Sequence, residues 1–239
     1  MGDLSRDERE SLRFEIFQKI KKPLDEWMKL VPGLRFYAER CLRTERYDGN
    51  VVLMVVDASF TSIGLNYFKS VVPKVLEFKE KFGIKSSSEL AKYDLGKLKS
   101  VWKNERSWRV ATAIASHLSN FGMDDRAAFR QWARNSKLLS WKEDPLGRIK
   151  GVGLVTYQYL RMMGGVDTVM PDRIVKRVIN ELLNETGFEG ITDDIEFIKF
   201  VEELAKFSGY YATEICWITW FIQYEEDERK NYISMLKYI

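Results

Sequence analysis

Asp172 follows Pro171 and opens the strongly amphipathic stretch Asp172–Val178, nineteen residues after a glycine turn at Ile149-Lys150-Gly151-Val152-Gly153. Two residues of that turn lack a Cβ, so its backbone can approach another surface closely. Backbone N–H groups and the charge of Lys150, set before a helix, suit a phosphate. A carboxylate fixed nearby supplies a negative charge that can act on a bound substrate. One segment, Leu146 to Val178, therefore combines a grip for a nucleic-acid backbone with a group able to do chemistry.

These residues need a helical scaffold, and helical periodicity dominates the chain. It predicts helices near 7–30, 34–43, 64–82, 87–92, 95–102, 105–121, 125–135, 145–149, 154–163, 173–185, 193–207 and 210–236. Breakers fall at their ends, at Pro32-Gly33, Gly83, Gly122, Gly164-Gly165 and Gly187. The one strand-like run, Asn50–Asp57, is short and β-branched, and reads as a buried helix or a strand, with helix favoured. Serine and glutamate in Ser86-Ser87-Ser88-Glu89 suggest a capped helix start. The fold class expected is all-α, with no repeat or low-complexity tract.

With 239 residues, 45% hydrophobic and 31% charged, the chain can bury a substantial core as one large domain or two lobes. Its two cysteines, Cys41 and Cys216, argue against a disulfide framework and against a four-cysteine zinc or iron–sulfur site, so neither metal nor cofactor is expected. The charged start and the lack of an eighteen-residue apolar run point away from export and from a membrane, and toward a cytoplasmic protein. Charge is uneven: residues 134–177 carry +5, residues 178–239 carry −8 and residues 1–133 carry +6. A basic middle beside an acidic tail suggests one anion-facing surface, although a solvated charged face is the commoner cause of any one cluster.

The order of these parts resembles the helix-hairpin-helix DNA glycosylase superfamily, the all-α base-excision proteins. The likeness spans about residues 51 to 180. It rests on KVLEFKEKFG, on SSSELAKYDLGKLKSVWKNERSWRVATAIASHL, on the hairpin Ile149–Gly153 and on PDRIVKRV. The resemblance implies a two-lobed helical fold, with a central lobe over 51–172 that holds the hairpin and a second lobe built from 1–50 and 173–239. It also implies double-stranded DNA as partner and excision of a damaged or mispaired base. Bifunctional members carry a Schiff-base lysine two positions after the second hairpin glycine, where this chain has Val155. Met170-Pro171-Asp172 is similar to the alkylation-damage branch and the following basic run to the adenine-specific branch, both of which work without that lysine. The family's glutamine-rich wedge has no counterpart at Ala58-Ser59-Phe60-Thr61.

Under this resemblance Arg148, Lys150, Gly151, Val152, Gly153 and Thr156 are the candidate DNA contacts, and a plain turn between helices is the alternative. Asp172 is the candidate catalytic group and equally a good N-cap. A capping carboxylate at a positive helix end is expected to have a lowered pKa and to stay ionised, suited to the charge that develops on deoxyribose as a glycosidic bond breaks. Asp167 is a weaker alternative. A base taken out of the stack needs an aromatic pocket; Trp108 and Trp141, with basic neighbours, are the candidates, against a default of core packing for all seven tryptophans. His117 fits a packed or surface residue better than a general base. Lys142, Lys150 and Lys176 are the lysines from which a displaced lyase nucleophile would come. A DNA-binding protein of this fold without chemistry, and a small-molecule-binding or purely structural helical protein, are the competing classes.

Overall fold

A computed structural model describes residues 6–239, and these form an all-α protein. The helices run α1 Arg6–Lys29, α2 Leu34–Leu42, α3 Val51–Thr61, α4 Val72–Phe82, α5 Ser87–Ala91, α6 Leu95–Leu98 and α7 Glu105–Ser119. They continue with α8 Asp125–Asn135, α9 Leu154–Met163, α10 Arg173–Glu185, α11 Asp194–Ser208, α12 Ala212–Phe221 and α13 Glu226–Met235. No helix among the described residues is long and apolar enough to cross a membrane.

Caps explain many of the boundaries. Asn50, Ser86, Asp94, Asn104, Asp124, Asp172 and Asp193 each accept a backbone N–H of the helix they precede. In α10 the buried residues Val175, Val178, Ile179, Leu182 and Leu183 fall three and four apart, so one face enters the core and the other carries Arg173 and Arg177. The strand-like run is the helix α3, buried from Val51 through Phe60 on every side, which is why it shows no amphipathic period.

The core is one continuous cluster. Around α3 pack α4, α5, α7 and α9, with α8 against both α7 and α9. Around α12 pack α2, α10 and α11, with α1 against α10 and α11, and α2 also touches α9. The chain's two ends thus share a helical layer against which the middle is seated.

Three predicted helices differ. Residues 145–149 form turns rather than a helix, with Arg148 N–H bonded to the Asp144 carbonyl and Ile149 N–H to that of Leu146. Pro145 and Gly147 interrupt the pattern, and Gly147 lies so close to the Trp141 carbonyl that an added Cβ would be 1.8 Å from its oxygen. The span 64–82 begins with a wide turn of π type at Tyr67–Val71 before α4. The span 210–236 is two helices, parted after Phe221 where the Tyr224 N–H bonds back to the Phe221 carbonyl.

Candidate active site and nucleic-acid interface

Asp172 is the N-cap of α10. Its Oδ1 accepts the N–H groups of Ile174 at 2.7 Å and Val175 at 3.0 Å. Its Oδ2 accepts the indole N–H of Trp220, on α12, at 3.1 Å. Burial raises the carboxyl's pKa above the ordinary aspartate value of 3.8, and outweighs the two backbone bonds, the Trp220 bond and nearby Arg173, all of which pull it down. The lowered pKa expected of a capping carboxylate is thus corrected: removal from water dominates the helix end. Asp167 is committed elsewhere, since it accepts the N–H groups of Ala212 and Thr213 and the Thr213 hydroxyl at the start of α12.

Beside Asp172 lies a narrow slit of about 10 Å³, room for no more than a single water. Its walls are Trp217, Trp220 and Cys216 of α12, Tyr67, Tyr159 of α9, Thr61 at the end of α3, and Met170. The tyrosine hydroxyls point to Asp57, 2.8 Å from Tyr67 and 3.0 Å from Tyr159, so the rings rather than the hydroxyls form the wall. Beneath them Arg46 pairs with Asp57 at 3.0 Å and lies 5.1 Å from the Trp217 ring centroid. Burial keeps the phenols of Tyr47, Tyr67 and Tyr159 protonated by raising their pKa values.

Helix α9 links the slit to the hairpin. Its first turn follows Gly153, and one turn later Gln158 donates to the Thr168 hydroxyl and the Val169 carbonyl at 2.7 and 3.1 Å. Those bonds fix the segment that ends at Asp172. The adjacent Tyr159 enters the slit from the same helix.

The hairpin is a tight turn closed by the Val152 N–H on the Ile149 carbonyl. Gly151 has φ +108°, and a Cβ there would lie 2.8 Å from Val110 Cγ2 and 3.3 Å from Arg106 Nε, so glycine is required both by conformation and by the approach to α7. Gly153 faces open space. Arg148 and Lys150 are exposed, but Thr156 and Val152 are buried. Thr156 is therefore corrected from a surface contact to a core residue, and the Val152 N–H is already used within the turn. What remains for an anion is Lys150, Arg148, the uncapped start of α9, and exposed Arg106, which sequence reasoning missed.

The tryptophan expectations also change. Trp108 has no exposure, donates to the Trp102 carbonyl at 2.8 Å and packs edge-on against Phe60, so it is a core residue rather than a base platform. Trp141 is half-buried against Tyr157, with the Lys142 ammonium 5.7 Å from its centroid, on the hairpin side and outside the slit wall. The slit aromatics were invisible in the sequence because they come from three separate elements. His117 packs its ring edge-on to Phe121. Lys176 is bonded to Asp194 and the Thr192 carbonyl.

Among the described residues no group of three His, Cys, Asp or Glu side chains could hold a metal, and Cys41 and Cys216 are free and buried. A larger open groove of about 690 Å³ runs along α1 between Lys21, Asp25, Lys29 and Tyr210, and shares no residue with the slit. There Lys21 pairs with Asp25 and Lys29 with Glu26, and the Tyr210 hydroxyl donates to Asp25. Comparison with protein-family models, with curated proteins and with solved structures finds no match for the chain.

Proposed function

We propose that the protein is a monofunctional DNA glycosylase of the helix-hairpin-helix type, which hydrolyses the N-glycosidic bond of a damaged or mispaired base. The observation that carries this reading is the Asp172 carboxylate, fixed at a helix start by two backbone N–H groups beside an aromatic slit. Exposed Lys150 lies in the turn that leads into α9, the helix whose Gln158 holds the Asp172 segment.

In this reading the duplex backbone rests on the hairpin while the base leaves the stack toward the aromatic wall. The glycosidic electron pair departs with the base, and positive charge develops on the sugar. A carboxylate withdrawn from water interacts with that developing charge more strongly than a solvated one. The burial that raises the pKa of Asp172 therefore favours the transition state over the ground state. Water then attacks the sugar carbon, and the proton it loses is taken up by the departed base, so that hydroxyl ends on the sugar and hydrogen on the base.

One observation favours a second reading, a duplex-binding protein of the same design without chemistry: the slit as it stands is far too small for a base. Single-turnover assays of the wild type and Asp172→Asn on duplexes with a panel of lesions separate the two. Excision by the wild type, lost in Asp172→Asn with duplex affinity retained, supports the glycosylase. Salt-dependent duplex binding without excision of any lesion supports the second reading, and a borohydride-trapped adduct overturns the monofunctional assignment.

A further inference from the structure

Trp220 does two things at once. Its ring forms part of the slit wall, and its indole N–H is bonded to Oδ2 of Asp172, the carboxylate oxygen the backbone leaves unbound. Trp217, one turn earlier on α12, shares the wall but has no bond to Asp172. The indole is 8% exposed, and its donor has no competing acceptor among the bonds described.

We propose that Trp220 is a positioning residue, whose indole N–H fixes the free oxygen of Asp172 while its ring forms part of the slit wall. The inference rests on the excision reading only for its activity readout, because the bond itself is present in the free protein. A half-buried carboxylate with one oxygen held by main chain and the other by a side chain has a single orientation, and the second hold can be removed without touching the first.

Removing the donor also has an electrostatic signature. The Trp220 bond favours the ionised carboxylate, so its loss raises the carboxyl pKa further. The other ionisable groups coupled to Asp172 are Arg173 on its own helix and the Cys216 thiol on α12, and neither is altered by a change at Trp220.

The test compares Trp220→Phe, which keeps an aromatic ring and deletes the donor, with Trp217→Phe, which changes the same wall without touching Asp172. The Asp172 carboxyl is titrated by carbon NMR in the free full-length protein, with Asp172→Asn to assign the signal. Trp220→Phe is expected to raise the midpoint by about one pH unit, the scale of one hydrogen bond to a charged group, while Trp217→Phe leaves it in place. An unmoved midpoint in Trp220→Phe, or an equal shift in Trp217→Phe, overturns the inference. Where the wild type excises a lesion, the acid limb of its single-turnover rate is expected to move upward in Trp220→Phe by the same interval. If no lesion is excised, the glycosylase reading fails while the NMR titration still decides the role of Trp220.

Discussion

Arg46 Nη2 stands 3.0 Å from Asp57 Oδ2 inside the core, the side chains 3% and 0% exposed. The same carboxylate oxygen receives the hydroxyls of Tyr47 and Tyr67 at 2.8 Å and Tyr159 at 3.0 Å. Arg46 itself sits in a loop where Thr44, Tyr47 and Asp48 adopt positive φ, a conformation unfavourable for residues with a Cβ. The ion pair and its tyrosines are what hold this loop in place against that strain. They also fix the rings of Tyr67 and Tyr159 that line the slit.

Breaking the pair from one side leaves a buried charge without its partner. Arg46→Met is therefore expected to lose about 3–5 kcal/mol of unfolding free energy, and Asp57→Leu a comparable amount, measured by urea denaturation. The double variant removes both charges, so its loss falls well short of the sum. Additive losses would mean that the two side chains contribute separately rather than as a pair.

Asp172 gives a pH dependence whose sign follows from its burial. Its folded pKa lies above the unfolded value, so the native state binds the proton more readily than the unfolded chain. The resulting stabilisation is fully present below the unfolded pKa and is lost as pH rises through the folded one. Relative to Asp172→Asn, which never ionises, the wild type should gain stability on acidification from about pH 7 to about pH 4. Paired urea melts across that range check it. A wild type that loses ground to Asp172→Asn on acidification would mean that the three hydrogen bonds outweigh desolvation.

How much of this could be read in the sequence depends on whether the signal was local. The α10 face and its Asp172 cap were legible, because a Pro-Asp start and apolar residues at three- and four-residue spacing are both local patterns. The type of α3 was ambiguous for a physical reason: a helix buried all round has no polar face to set its period. Trp108 misled because Arg106 and Arg109 are exposed and say nothing about the opposite, inward face of α7. The walls at Tyr67, Tyr159, Trp217 and Trp220, and the burial of Arg46, depend on packing between distant segments, and no spacing rule encodes that.

The two hairpin glycines are expected to respond differently to alanine. At Gly151 the positive φ and the 2.8 Å approach to Val110 make Gly151→Ala unfavourable, by about 1–3 kcal/mol. Gly153 has φ −99° and ψ 176° with open space around it, so Gly153→Ala should stay within about 0.5 kcal/mol of the wild type. Thermal or urea melts of both variants test the contrast. Equal losses would show that the turn is not held against α7 as closely as its geometry implies.

The same open face at Gly153 makes the charge around it measurable. Lys150 and Arg148 are exposed beside the uncapped start of α9, and Arg106 is exposed where its side chain meets the turn. A cation that neutralises one phosphate releases its counterions, so removing it lowers the slope of log affinity against log salt by about 1. If the protein binds duplex as proposed, Lys150→Ala, Arg148→Ala and Arg106→Ala should each do this with undamaged DNA, whereas Lys176→Ala, whose ammonium is bonded to Asp194 and Thr192, should leave the slope as it is. Fluorescence-anisotropy titrations at several salt concentrations read the slopes directly. If Lys176→Ala lowers the slope and the other three variants do not, the face proposed to meet DNA lies along α10 rather than at the hairpin.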